Sequence, residues 1–186
     1  VERRPQAVLV GRRADPPGLP AGLLGGHVRR GAQQRPGARL AAVAGHLRRP
    51  WARPAAFAGL VEAFTRWADL DHTTAWHLGD ALGNAARPAD VDVLVRLCAT
   101  ARYGMSRQMI VYALRRFKKS DAVPPTLIAL LSDPSVGLHA SSTLRHVIGN
   151  AAAVPILRAA ADAATDPDLY RSLLREIRKG EKAMRG

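Results

Sequence analysis

The chain has 186 residues, of which 47% are apolar, a formal net charge of +13 and a single cysteine. That length supports one domain with a substantial core. No run of about 18 uninterrupted apolar residues occurs, which excludes a membrane-spanning helix, and a lone Cys98 excludes an internal disulfide or a cysteine-based zinc site. The apolar pieces at 7–10 and 19–24 are short and broken by Pro and Gly, so no secretory signal is expected and the cytoplasm is the expected location.

The charge is uneven along the chain. Residues 1–56 carry eleven arginines against two acids, a net +9, whereas residues 57–186 carry seventeen cations against thirteen acids, a net +4. An electrostatic case for nucleic acid therefore rests mostly on the first segment. Residues 1–54 are rich in Arg, Pro, Gly and Ala, and only residues 40–47 show a short helical rhythm. The expectation is a disordered or poorly ordered extension. The same bias without lysine is what GC-rich DNA translated out of frame would give, so this reading leaves open whether residues 1–54 are translated at all.

From Ala55 a repeat domain is expected. Phe57, Leu60, Val61, Phe64 and Trp67 follow the spacing of one helix face, and the polar run at 69–71 ends that helix. Two landmarks then recur at a common period. Leu82, Leu114, Leu144 and Ile177 are 32, 30 and 33 residues apart, each late in the first helix of a unit, while Val91, Val123 and Val154 are 32 and 31 apart, each opening the second. Ala122-Val123-Pro124 and Ala153-Val154-Pro155 share chemistry, since proline is tolerated in a first helical turn. Asp133-Pro134 and Asp166-Pro167, again 33 apart, fit the turn between units. Connections as short as Gly149-Asn150 force the paired helices antiparallel. A period near 33 predicts an all-α superhelix, a solenoid of about four helical pairs in which neighbours share one core.

Over residues 57–186 these units resemble the HEAT repeat family in its short, PBS-lyase-like form, where a unit reads roughly D-P-x-V-x-x-x-A-x-x-A-L, a turn, then A-V-P-x-L. Asp133, Pro134, Val136, Ala140 and Leu144 match, Thr143 stands where an Ala precedes the Leu, and Gly137 stands in place of the usual Arg. The segments at 76–84 and 102–104 look like atypical early units. The resemblance implies a non-enzymatic scaffold for protein–protein interaction, with no cofactor. Second helices line the concave surface in that family, which implies that Asp92, Arg96, Thr126, Arg158 and Asp162 meet a protein or peptide partner. Their mixed charge suits such a partner better than a polyanion. Three to four units make a short binding face, so a fragment of a longer array or an accessory module also fits.

Other chemistry is weaker. Trp76 and Asp80 share a helix face beside His77, and HEAT-like alkylpurine DNA glycosylases use an Asp flanked by aromatics. The plainer reading is a packing Trp and a capping or exposed carboxylate. His72 and His77 are five apart, His139 and His146 seven apart, so neither pair has the i, i+4 spacing of a helical zinc site and no metal is expected. No phosphate-binding Gly-rich loop or G-x-S-x-G elbow occurs, so no catalytic residue is assigned. Arg171, Arg175, Arg178, Lys179 and Lys182 form a basic stripe on the last helix, and Arg115, Arg116, Lys118 and Lys119 form a second cluster. Each admits two readings: contact with phosphates or acidic side chains of a partner, or the polar outer face of a capping helix. A nucleic-acid-binding protein of the HEAT-like glycosylase type is thus the alternative. Bilin lyases carry related repeats, but no residue independently points to a pigment.

Overall fold

The computed structural model describes residues 53–186. The extension expected at 1–54, its helical rhythm at 40–47 included, lies outside the described residues save for Arg53 and Pro54. Those two already belong to the first helix. Eight α-helices follow one another, with no strand among the described residues: α1 (Arg53–Trp67), α2 (His72–Ala85), α3 (Val91–Ala99), α4 (Gln108–Ala113), α5 (Val123–Ala129), α6 (Gly137–Ile148), α7 (Asn150–Asp162) and α8 (Pro167–Arg185). Short 3₁₀ turns lengthen α4 to Phe117 and α5 to Ser132.

Local chemistry sets the starts. Asp71 has extended backbone, and its carboxylate accepts from the amides of Thr73 at 3.0 Å and Thr74 at 3.3 Å, which satisfies donors that α2 leaves orphaned. A cap of this kind contributes about 1 kcal/mol. Asp166 does the same for α8 through the Leu169 amide at 2.7 Å, with Pro167 at the first helical position. Asp133 occupies the matching place in the preceding unit but does different work. It holds a turn, accepting from the Ser135 amide at 2.8 Å, and α6 begins only at Gly137.

The unit of Leu144 and Val154 departs from the expectation. Val91 and Val123 open α3 and α5, but α7 starts at Asn150, four residues before Val154. Gly149, at φ 81°, ends α6 and lets the chain turn straight into α7. Pro155 consequently sits inside that helix rather than in its first turn. Its missing N–H removes the usual donor to the Ala151 carbonyl, and both residues are exposed.

Packing follows the repeat. α2 lies against α4, α4 against α6 and α6 against α8, while α1 covers α2, α3 meets α5, and α7 fits between α6 and α8. Leu82, Leu114 and Leu144 are fully buried and Ile177 is nearly so, with Val91, Val123 and Val154 beside them in one core. Each such aliphatic side chain contributes about 1.5–3 kcal/mol by leaving water. Phe57, Leu60 and Phe64 join the core from α1, and Val61 and Trp67 pack half-buried against it. Phe64 meets Tyr103 edge to face, with centroids 5.5 Å apart.

Two further devices tighten the stack. An added Cβ at Gly83 would stand 2.3 Å from the Cβ of Ala113, so glycine there sets how closely α2 and α4 approach. At Gly137 the corresponding atom would meet Leu169 Cδ1 at 2.6 Å and the Leu131 carbonyl at 2.9 Å. Glycine at the start of α6 thus has a steric reason, since any side chain there would press on the Leu131 carbonyl.

Candidate functional site

The five residues expected to meet a partner lie on α3, α5 and α7. Asp92 and Arg96 are exposed one turn apart on α3. Thr126, half-buried on α5, donates its hydroxyl to the Ala122 carbonyl at 2.6 Å. Arg158 of α7 pairs with Glu181 of α8, and Asp162 is exposed at the end of α7. Among the described residues no hydrogen bond or ion pair links Asp92 or Arg96 to the other three.

Between α5 and α7 lies a cleft of about 420 Å³ that sequence reasoning missed. Its walls are mainly apolar, including Ile128, Leu131, Pro134, Ile156, Ala160 and Leu169. Ile128 is 41% exposed there, an unusual position for an isoleucine. The available signal was the run of small residues at 159–164, which adds no bulk opposite Ile128. The carboxylate in its lining is Asp166, the cap of α8, and Asp162 is not among the lining residues.

The basic stripe on α8 is partly structural. Arg171 pairs with Asp168 in its own helix, and Arg178 Nε donates to the Leu174 carbonyl at 3.3 Å. Lys179 Nζ lies 2.6 Å from Glu176 Oε1. Glu176 is 1% exposed, and its other oxygen accepts from Arg145 of α6 at 2.8 Å. Arg145 Nε in turn donates to Asn150 Oδ1 at 3.1 Å, so one buried carboxylate ties α6, α7 and α8. Arg175 and Lys182 are exposed. In the second cluster, Arg116 donates to the Gly83 carbonyl across the α2–α4 contact. Arg115 lies 3.9 Å above the Tyr112 ring centroid and donates to its hydroxyl, and Lys118 and Lys119 are exposed.

A larger ionic joint went unread. Arg107, 1% exposed, donates Nε to the Gly104 carbonyl at 3.0 Å, Nη1 to the Cys98 carbonyl at 2.8 Å and Nη2 to Asp133 Oδ2 at 2.6 Å. Gly104 reaches into that position with φ 46°, which only glycine adopts readily. Nothing in the sequence separates this arginine from the surface cations around it.

Trp76 is half-buried with its ring 5.2 Å from His77, and Asp80 accepts from Asn84 Nδ2 at 3.1 Å. Among the described residues no cluster of three His, Cys, Asp or Glu groups could hold a metal ion. Cys98 is fully buried, and desolvation pushes its thiol far above the ordinary range despite the opposing charge of Arg107. Among the described residues no helix is long and apolar enough to cross a membrane. Comparison with protein-family models, with curated proteins and with solved structures gave no match.

Proposed function

We propose that this chain is a non-enzymatic scaffold of the HEAT solenoid type that holds a protein partner on the side formed by α3, α5 and α7, in the cytoplasm. The observation that carries the reading is the apolar cleft between α5 and α7 with Ile128 in its wall and the Asp166 carboxylate in its lining. That chemistry fits a short peptide segment bearing an aliphatic anchor and a neighbouring cation: the anchor fills the cleft and the cation meets Asp166. The successive contacts of α2, α4, α6 and α8, together with the recurring Leu and Val landmarks, support the solenoid part of the reading.

The test is selection of displayed peptides on the full chain, then titration of the winners against Ile128→Glu and Asp166→Asn, the latter keeping one oxygen to cap α8. Loss of about tenfold or more in both supports the reading, as removal of a central anchor requires. Winners that bind Ile128→Glu undiminished refute it.

The exposed Arg175, Arg178 and Lys182 on α8 favour a second reading, a nucleic-acid-binding protein of the glycosylase type. It requires Asp80 as the carboxylate that stabilises a cationic sugar. Base excision from alkylated DNA that is lost in Asp80→Asn would establish it, whereas scaffold binding is indifferent to that change.

A further inference from the structure

A second cleft, of about 280 Å³, opens between α4 and α6 and differs in character from the first. No carboxylate lines it. Arg115 and Arg145 supply the cations, Tyr112 and His146 the ring groups, and Ser142, Thr143 and Asn150 the neutral polar groups. The two arginines are held in place before any ligand arrives. Arg115 is stacked on Tyr112, while Arg145 is fixed through Nε and Nη1 to Asn150 and Glu176, leaving Nη2 uncommitted. Glu176 does not cancel the pair, because Lys179 shares that carboxylate.

Thr143 supplies an independent sign of an absent ligand. It is 1% exposed in the wall of this cleft, and its hydroxyl is buried without a hydrogen-bond partner. A buried orphan hydroxyl costs about 1–3 kcal/mol. Most threonines in helices avoid that cost by bonding a carbonyl one turn back, as Thr126 does.

We propose that this cleft binds the phosphate group of a phosphorylated side chain on a protein partner. Preorganised guanidinium groups, a hydroxyl donor and the absence of a competing acid are what a tetrahedral dianion needs. The surroundings favour one phosphate over a polyanionic backbone. Toward α2 the neighbouring cleft contains Asp80, and toward α8 the carboxylates Glu176 and Asp168 interrupt the run of cations. A nucleic acid crossing this face would meet alternating charge, whereas a single group meets only cations and donors. The site uses different helices from the α5–α7 cleft and stands without it.

The experiment is fluorescence polarisation of the full chain with a labelled peptide pool carrying a fixed phosphoserine in degenerate flanks, beside the same pool with serine and a labelled DNA duplex. The phosphoserine pool is expected to bind at least about tenfold more tightly than the serine pool, as two charge-assisted contacts require. Inorganic phosphate is expected to displace it. Arg115→Ala, at an exposed position, abolishes the preference, and Lys182→Ala, outside the cleft, leaves it intact. Thr143→Val keeps the volume, lowers phosphopeptide affinity and raises the Tm, because an unsatisfied hydroxyl has been removed. Equal binding of the two pools overturns the proposal, as does a preference that survives Arg115→Ala. Arg115-dependent binding of the duplex without the phosphopeptide also overturns it and assigns the cleft to phosphodiesters. A Thr143→Val protein that loses stability would show that the hydroxyl serves the fold instead.

Discussion

Replacing Arg107 by Met removes the one side chain that joins the end of α3, the Gly104 turn and the Asp133 turn before α6. Methionine retains the apolar stem, so the loss is chiefly ionic and hydrogen-bonding. Breaking a buried ion pair by deleting one partner costs about 3–5 kcal/mol. Asp133 keeps 22% of its side chain exposed, so water reaches the abandoned carboxylate and the expected cost lies near the lower bound. Of the two carbonyls freed by the change, that of Cys98 is buried and that of Gly104 is part-buried. A loss of about 3 kcal/mol lowers the Tm by roughly 10 °C in a protein of this size, measured by far-ultraviolet circular dichroism on the full chain and by urea titration. Asp133→Asn keeps one acceptor oxygen where the carboxylate uses two, so the bond from either Arg107 or the Ser135 amide is lost, and the change is expected to cost about 2–3 kcal/mol. A loss below about 1 kcal/mol for Arg107→Met, the range of exposed ion pairs, would show that the guanidinium is solvated and that the joint does not hold these three segments together.

Gly83→Ala destabilises by about 1–2 kcal/mol, because overpacking against Ala113 outweighs the helix propensity gained, whereas Gly59→Ala, with nothing within 4 Å, stabilises by up to about 1 kcal/mol; equal effects in thermal melts would contradict the close approach of α2 and α4. The Cys98 thiol fails to react with a disulfide reagent in the native protein and reacts fully in urea, since burial both shields it and disfavours the thiolate; rapid native labelling would refute its position. Burial lowers the pKa of His139, so the unfolded chain binds more protons than the folded one below the ordinary histidine value of about 6.5. Stability is therefore full above that value and declines as pH falls toward the folded value, and between about pH 7 and 5.5 the wild type should lose more stability than His139→Gln; parallel curves would show that the imidazole is hydrated.

Much of the helical organisation was legible because its causes are local. Asp71 and Asp166 each cap a helix within three residues, and the period of Leu82, Leu114 and Leu144 reports one buried position repeated along the chain. Features that depend on distant partners were not legible. Arg107 finds Asp133 across 26 residues, and Arg145 finds Glu176 across 31, so each reads in sequence as a surface charge. Glu176 looked like one acid within a basic stripe, yet it is the group that converts part of that stripe into an internal tie. The glycines at 83 and 137 carry no periodic signal, because what matters is the neighbour's approach. Pro155 misled for a related reason: its first-turn signal is overridden when Gly149 restarts the helix four residues early. The α5–α7 cleft is defined by bulk that Ala159, Ala160, Ala163 and Ala164 do not supply, and such a run of alanines in sequence does not say which distant residue it leaves uncovered.

Hydrogen–deuterium exchange of the full chain, with and without a peptide selected on it, tests the scaffold account most directly. Binding in the apolar cleft predicts slowed exchange confined to α5, its 3₁₀ extension, α7 and the first turn of α8, with α4 and the basic C-terminal half of α8 unchanged. Protection centred on α4 and α8, with α5 and α7 unaffected, would contradict the account and move the binding surface to the basic clusters.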